Sequence, residues 1–156
     1  MPRSDLKKQT TILVNAADPL SPGERSYRMS LIRSSETKPE KKVRSLLHHL
    51  GFRFRKNVKE LPGRPDIVLP RYHVVIFVHG CFWHRHSECS RGKVIPLNNR
   101  GYWVKKFERT VNRDRENHNR LTSDGWRVFI VWGCQLKKSP EKVMERLVKD
   151  IKNTVE

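Results

Sequence analysis

Val74-Val75-Ile76-Phe77-Val78-His79-Gly80-Cys81-Phe82-Trp83-His84-Arg85-His86 joins two kinds of sequence at one point. The run from Val74 to Val78 is unbroken β-branched and aromatic, the composition of a central strand buried on both faces. The stretch from His79 to Cys89 crowds three histidines, two cysteines and two large aromatics into a polar interval. That is poor material for a plain core and good material for a metal-dependent site, delivered at the exit of the strand.

Outward from this strand the chain alternates elements. Upstream, Thr37-x-x-Glu40 reads as a capping box, and Val43, Leu46, Leu47 and Leu50 recur at helical spacing before Gly51. Phe52 to Val58 alternates apolar and basic residues as a half-exposed strand would, and Leu61-Pro62-Gly63-Arg64-Pro65 turns into another strand, Asp66 to Leu69. Downstream, Arg91 to Gly101 reads as a loop and Tyr102 to about Ser123 as a helix with Trp103, Phe107, Val111, Asp114 and Leu121 on one stripe. Trp126 to Trp132 reads as a second buried strand, and Ser139-Pro140 caps a last helix carrying Val143, Met144, Leu147, Val148 and Ile151. A short helix is also expected over roughly Glu24 to Arg33. This order predicts an α/β fold, a central mixed sheet between helices in an α/β/α sandwich. Residues 1–17 are expected to be a mobile N-terminal tail and 18–156 a single domain.

Composition names the partner before any mechanism is chosen. Lys and Arg total 33 against 16 Asp and Glu, a net charge of +17. That excess goes far beyond what solubility asks for, and such a surface attracts phosphate backbones with steeply salt-dependent affinity. No run approaches the roughly 20 apolar residues of a membrane span, and the polar N-terminus lacks the apolar stretch of a signal peptide. Three cysteines cannot all pair in disulfides, so thiolates in a reducing cytoplasm are expected.

Those thiolates suggest zinc. Cys81, Cys89 and Cys134 with one imidazole would close a tetrahedral structural site, and by spacing either His84 or His86 could be the fourth ligand. The competing reading is buried free cysteines acting as small hydrophobes. Asp66, directly after Pro65 at the head of a strand, resembles the Pro-Asp half of the motif by which restriction-endonuclease-like folds hold Mg²⁺ against a phosphate. The second half, an acid-x-Lys, is missing, and Val78 and His79 stand in its place. Asp114 falls on an apolar helical stripe, where an unpaired carboxylate is costly; His84 or one of many arginines would relieve it. Phe82 and Trp83 could stack on bases or wedge between them, or could pack around the zinc. Glu40 has its capping role, and Met29, near Leu31 and Ile32, could be core.

Taken together, Arg28-Met29-Ser30, Thr37-Lys38-Pro39-Glu40, Leu61-Pro62-Gly63-Arg64-Pro65-Asp66, Val78-His79-Gly80-Cys81-Phe82-Trp83-His84, Asn112-Arg113-Asp114-Arg115, Gly125-Trp126-Arg127-Val128 and Val131-Trp132-Gly133-Cys134 resemble the very short patch repair (Vsr) endonuclease family. The resemblance runs from about Asp18 through Leu136. It implies a restriction-endonuclease-like domain that nicks one DNA strand 5′ to the thymine of a T:G mismatch, in repair of deaminated 5-methylcytosine. The expected setting is a bacterial cytoplasm, at the nucleoid, beside a cytosine-5 DNA methyltransferase and with mismatch-repair proteins as possible partners.

Residue by residue, the resemblance makes Asp66 the Mg²⁺ carboxylate, with the backbone carbonyl of Val78 completing the protein's share of the shell. His79 and His84 match catalytic histidines, Asp114 the carboxylate that orients His84, and Glu40 an acid near the metal. Cys81, His86, Cys89 and Cys134 match the Zn²⁺ ligands. Met29, Phe82 and Trp83 match residues that intercalate beside the mismatch, and Lys106 one that contacts it. Two departures stand out. Ser87-Glu88 puts one residue more than the family pattern between His86 and Cys89, and Thr110 stands where an asparagine is expected. The alternatives in other classes are a non-catalytic zinc DNA-binding protein, for which Asp66, His79 and Asp114 are superfluous, and a restriction-type nuclease cutting both strands.

Overall fold

The structure, a computed structural model, describes residues 12–14, 21, 23–24, 27 and 36–153. The apolar run becomes β4 (Val74–His79), and its neighbours make it central. The main sheet has the order β2 (Arg55–Lys56), β3 (Ile67–Leu69), β4, β6 (Arg127–Trp132). β3 runs antiparallel to β4 and β6 parallel to it, so the sheet is mixed.

Strand alternation sends successive side chains to opposite faces, and each face meets a helix. Val74 and Ile76, with Ile67 and Leu69, pack against Val43 and Leu47 of α1 (Lys38–His49) and against Met144, Leu147 and Ile151 of α5 (Pro140–Lys152). Val68, Val75 and Phe77 pack the other way, onto Leu121 of α3 (Arg100–Ser123). The next residue in phase with Phe77 is His79, which therefore emerges on the α3 side. This phase is what aims the histidine at the site.

The capping box at the head of α1 forms with a shift. The Thr37 hydroxyl accepts from the Glu40 N–H, but the Glu40 carboxylate accepts from the N–H of Glu36, one residue before the cap. The helix stops at Leu50, and Gly51 takes a left-handed conformation with φ +86°.

Several expectations are corrected. Phe52 to Val58 is not a full strand. Only Arg55 and Lys56 pair, while Phe52 turns into the core with α1 and α5. Trp126 to Trp132 is not buried like β4, because β6 lies at the end of the strand order and only Val131 on it is buried. An apolar run does not distinguish a central strand from one whose second neighbour is absent. The interval 91–101 holds β5 (Val94–Pro96), paired in parallel with β1 (Ile12–Val14), a stretch of the expected tail. Three-residue strands are too short to show a period. Ser139 makes no side-chain cap bond, and a short helix, α4 (Gly133–Lys138), intervenes before α5. Most of the expected helix from Glu24 to Arg33, Met29 included, lies outside the described residues. Among the described residues no helix is long and apolar enough to cross a membrane.

One side chain ties the edge of the sheet to α5. Arg127 donates to the carbonyls of Asp150 and Ile151 at the end of that helix and to Tyr72. Its planar fork satisfies acceptors that the helix end leaves open. Arg127→Ala is expected to lower unfolding stability by about 3 kcal/mol, the scale of a lost charged hydrogen bond with stranded partners. Urea titration with an unchanged slope would confirm it; a midpoint equal to that of the unmutated protein would refute it.

Candidate active site and metal centre

The C-terminal ends of β4 and β6, the short helix α2 (Cys81–His84) after β4, and one stripe of α3 enclose two adjacent clusters. The first is built around Asp66. The antiparallel register that pairs Ile67 with Ile76 leaves Asp66 beside the last residues of β4, just past the ladder. There its carboxylate accepts the N–H of Val78 at 2.7 Å. A strand residue sends its N–H and C=O to the same edge, so the Val78 carbonyl lies on the Asp66 side as well.

Burial pushes the Asp66 carboxyl up to about 7; the Val78 N–H opposes the rise and the neighbouring Glu40 adds to it. Glu40 is itself only 3 % exposed. The half-buried Asp66 and the buried Glu40, close enough to feel each other's charge, form a donor set that a hard divalent cation fits, because oxygen ligands of this kind are what Mg²⁺ takes. Arg44, also buried, has its guanidinium clamped by both carboxylate oxygens of Glu36 at 3.0 Å each, and its charge only partly offsets the rise at Asp66.

Beside these acids the histidines stack. His84 Nδ1 meets Asp114 Oδ2 at 2.6 Å, a charge-assisted contact between α2 and α3. His79 lies against His84 with ring centroids 3.8 Å apart and planes 6° from parallel. Burial, reinforced by His84, pushes the His79 imidazole down to about 3, so it is neutral. His79, His84 and Asp114 have donor atoms close enough to suggest a metal, but parallel stacked rings argue against it. Their in-plane lone pairs run side by side and cannot converge on one ion at the ~2 Å metal–nitrogen distance. The trio is better suited to holding and moving protons.

The second cluster is Cys81, His86, Cys89 and Cys134, whose ligand atoms all lie within 4.8 Å of one another. Cys81 opens α2 just past β4, and Cys134 sits in α4 just past β6. The parallel strands thus deliver both thiols to the same end of the sheet. His86 Nδ1 is 3.3 Å from Cys134 Sγ and 3.8 Å from Cys81 Sγ. Zinc at tetrahedral angles, ~2.3 Å from sulfur and ~2.0 Å from nitrogen, sets that separation at roughly 3.5 Å, so the donors fit the ion. Burial pushes the Cys81 thiol up and holds the His86 imidazole in its neutral, ligating form. Of the two histidines that spacing left open, the structure brings His86, not His84, to the thiols. The additional residue in the Ser87-Glu88 interval is accommodated. The loop is drawn in by Gly92, where a Cβ would overlap the His86 backbone.

Phe82 and Trp83 are half-buried and join Trp103 and Phe107 in an aromatic cluster, with Lys106 Nζ 5.1 Å from the Trp83 ring centroid. Thr110 is bonded back to the Lys106 carbonyl. Three further features carry little signal in the sequence. Trp132 stacks on His86 at 4.2 Å and stands edge-on to His79 at 5.3 Å, joining the two clusters. The Glu36–Arg44 clamp is the second, signalled only by a charge on the buried face of α1. His118 is the third, and helical spacing from Asp114 could have found it.

Comparison with known proteins bears on this geometry. The family described as "DNA mismatch endonuclease Vsr" matches residues 17–91. The DNA mismatch endonuclease Vsr of Escherichia coli K12 is 44% identical over 135 residues, 84% of this chain and 85% of that protein. "Type II nicking enzyme V.XorIIP" of Xanthomonas oryzae is 50% identical over 119 residues, 76% of this chain and 86% of that protein. "Type II nicking enzyme V.NmeAIP" of Neisseria meningitidis is 44% identical over 140 residues, 88% and 99% respectively. With identity of this order over most of both chains, and a strand exit that gathers acids, histidines and thiols as described, the chain belongs to the Vsr DNA mismatch endonuclease family.

Proposed function

We propose that this protein nicks one strand of duplex DNA 5′ to the thymine of a T:G mismatch, in very short patch repair of deaminated 5-methylcytosine. The observation that carries the reading is the 2.6 Å His84–Asp114 contact beside the paired acids Asp66 and Glu40. A non-catalytic zinc protein has no use for either. With its Nδ1 held by Asp114, His84 keeps Nε2 as the nitrogen able to take a proton from the attacking water or return one. His79, kept neutral, donates a hydrogen bond to the scissile phosphate, whose oxygens only accept. Water adds to phosphorus and the bond to the 3′ oxygen breaks, leaving 3′-hydroxyl and 5′-phosphate ends. Asp66, the Val78 carbonyl and a water-mediated Glu40 would hold Mg²⁺, which when bound supplies Lewis-acid stabilisation of the phosphate and leaving oxygen.

The same reading sets a cytosine-5 DNA methyltransferase alongside the enzyme, since deamination of its product creates the mispaired thymine. Incubation with labelled duplexes carrying T:G, T:A or C:G at one position, with Mg²⁺ or with EDTA, tests the proposal. It predicts one nick, on the T strand of the T:G duplex only, and only with Mg²⁺. Cleavage of both strands of all three duplexes would favour a restriction-type nuclease, and no cleavage a binding protein.

Discrimination is assigned to Phe82, Trp83 and Lys106, with Met29 as a fourth candidate. A half-buried aromatic pair on a short helix can rearrange to wedge between base steps, and unstacking costs least at a weak T:G pair. Trp83→Ala is therefore expected to lose preference for T:G over T:A while keeping the salt-dependent affinity supplied by Lys and Arg. A large drop in melting temperature with unchanged preference would mean that Trp83 is only core.

A further inference from the structure

α3 does more than supply Asp114. Asp114, Asn117, His118 and Leu121 are spaced as neighbours on one helical stripe. Asp114 holds His84, Leu121 packs beneath Phe77, and Asn117 lies against the left-handed Gly63 of the turn leading to Asp66, where a Cβ would come within 3.0 Å of its own. His118 completes the stripe. Its ring centroid is 4.9 Å from Phe77 and 5.8 Å from His79, its plane only 16° from that of His79. Since His84 stacks on His79 at 6°, the planes of the three imidazoles are nearly parallel. Among the described residues, the buried His79 Nδ1 and His118 Nε2 have no hydrogen-bond partner. No hydrogen bond from a described residue therefore fixes the His79 ring at Nδ1. The packing of flat rings around it is what holds its orientation.

We propose that His118 is a positioning residue for strand cleavage: packed against His79 from α3, it holds that imidazole parallel to His84 and so aims it at the scissile phosphate. The inference rests on the reading of His79 as a catalytic histidine. It needs a flat aromatic ring at position 118 and no proton transfer there. An alanine would open space beside His79 and free its ring to turn, whereas a phenylalanine would keep the slab without the nitrogens.

The test is single-turnover nicking of a T:G duplex at saturating enzyme with Mg²⁺, alongside duplex affinity and melting temperature, for His118→Ala, His118→Phe and His79→Ala. Misplacing a reacting group by about an ångström costs on the order of a hundredfold. His118→Ala is therefore expected to lose roughly ten- to a hundredfold in the cleavage step, with duplex affinity unchanged, and His118→Phe to regain most of it. In long-range ¹H–¹⁵N imidazole spectra of the free protein, the His79 resonances should shift or broaden in His118→Ala and return in His118→Phe. A cleavage rate in His118→Ala equal to that of the unmutated protein overturns the inference, as does a loss that His118→Phe fails to restore or one that only tracks lost folding. The underlying reading fails separately, if His79→Ala itself nicks at full rate.

Discussion

Asp66→Ala is expected to abolish nicking of a T:G duplex while leaving duplex affinity nearly intact. Among the described residues, the Asp66 carboxylate is the acidic side chain that meets the end of β4 directly, through the Val78 N–H at 2.7 Å. If it anchors the cation, its loss removes several kcal/mol of transition-state stabilisation. At 1.36 kcal/mol per decade this is about three orders of magnitude or more in rate. Affinity should survive, because the +17 net charge is spread over a chain with 33 basic residues and phosphate contacts do not depend on one acid. Asp66→Asn sharpens the experiment. Its side-chain oxygen can still accept from Val78, so local structure is kept, but the half-buried charge beside Glu40 is removed. Stability in EDTA is then expected to hold or rise even as activity vanishes, since a half-buried carboxylate without its cation costs the fold. Nicking by Asp66→Asn at near the unmutated rate would take Asp66 out of the active site.

Legibility of the fold and site in the chain divides on physical grounds. β4 is legible because five consecutive β-branched and aromatic residues have few other uses, and α1 because cap, apolar period and terminal glycine agree. The thiol cluster is legible as a set but not as a geometry. Spacing lets either His84 or His86 complete it, and only the turn after α2, with Arg85 at φ 55°, sends one histidine to the thiols and the other to Asp114. The β1–β5 pairing joins Ile12 to Val94, a contact with no local signature. His118 escapes a reading of the sequence for a different reason. A histidine on the inward stripe of a helix is usually just packed, and its meaning depends on His79 arriving from β4 in phase with Phe77.

Trp132 makes the two clusters mechanically dependent. Its indole stacks on His86 and meets the edge of His79, so the ligand that would anchor zinc and the ring that would face the phosphate share one wall. Disturbing the thiol cluster should therefore move the histidines before it unfolds the sheet. Activity is expected to fall earlier than helicity as a chelator is titrated in, provided Mg²⁺ is kept in excess.

Full removal of the zinc-type centre should then cost the fold. Cys81 and Cys134 lie just beyond the parallel strands β4 and β6, and Cys89 lies in the loop that leads to β5, so one ion would join three segments that no buried apolar cluster covers as a unit. Structural zinc contributes folding free energy directly, of order 10 kcal/mol in small zinc domains. If only about half of that applies in a chain with its own cores, the melting temperature falls by roughly 10–20 °C. Metal analysis should find about one zinc per chain, by the four-ligand argument. Cys134→Ser and His86→Ala should each lose both metal and thermal stability. His84→Ala should keep both while losing activity, because His84 is bound to Asp114 rather than to the thiols. Purified protein that is metal-free yet melts at the same temperature, or a His84→Ala variant that loses the zinc, would refute the assignment of the two histidines to separate tasks.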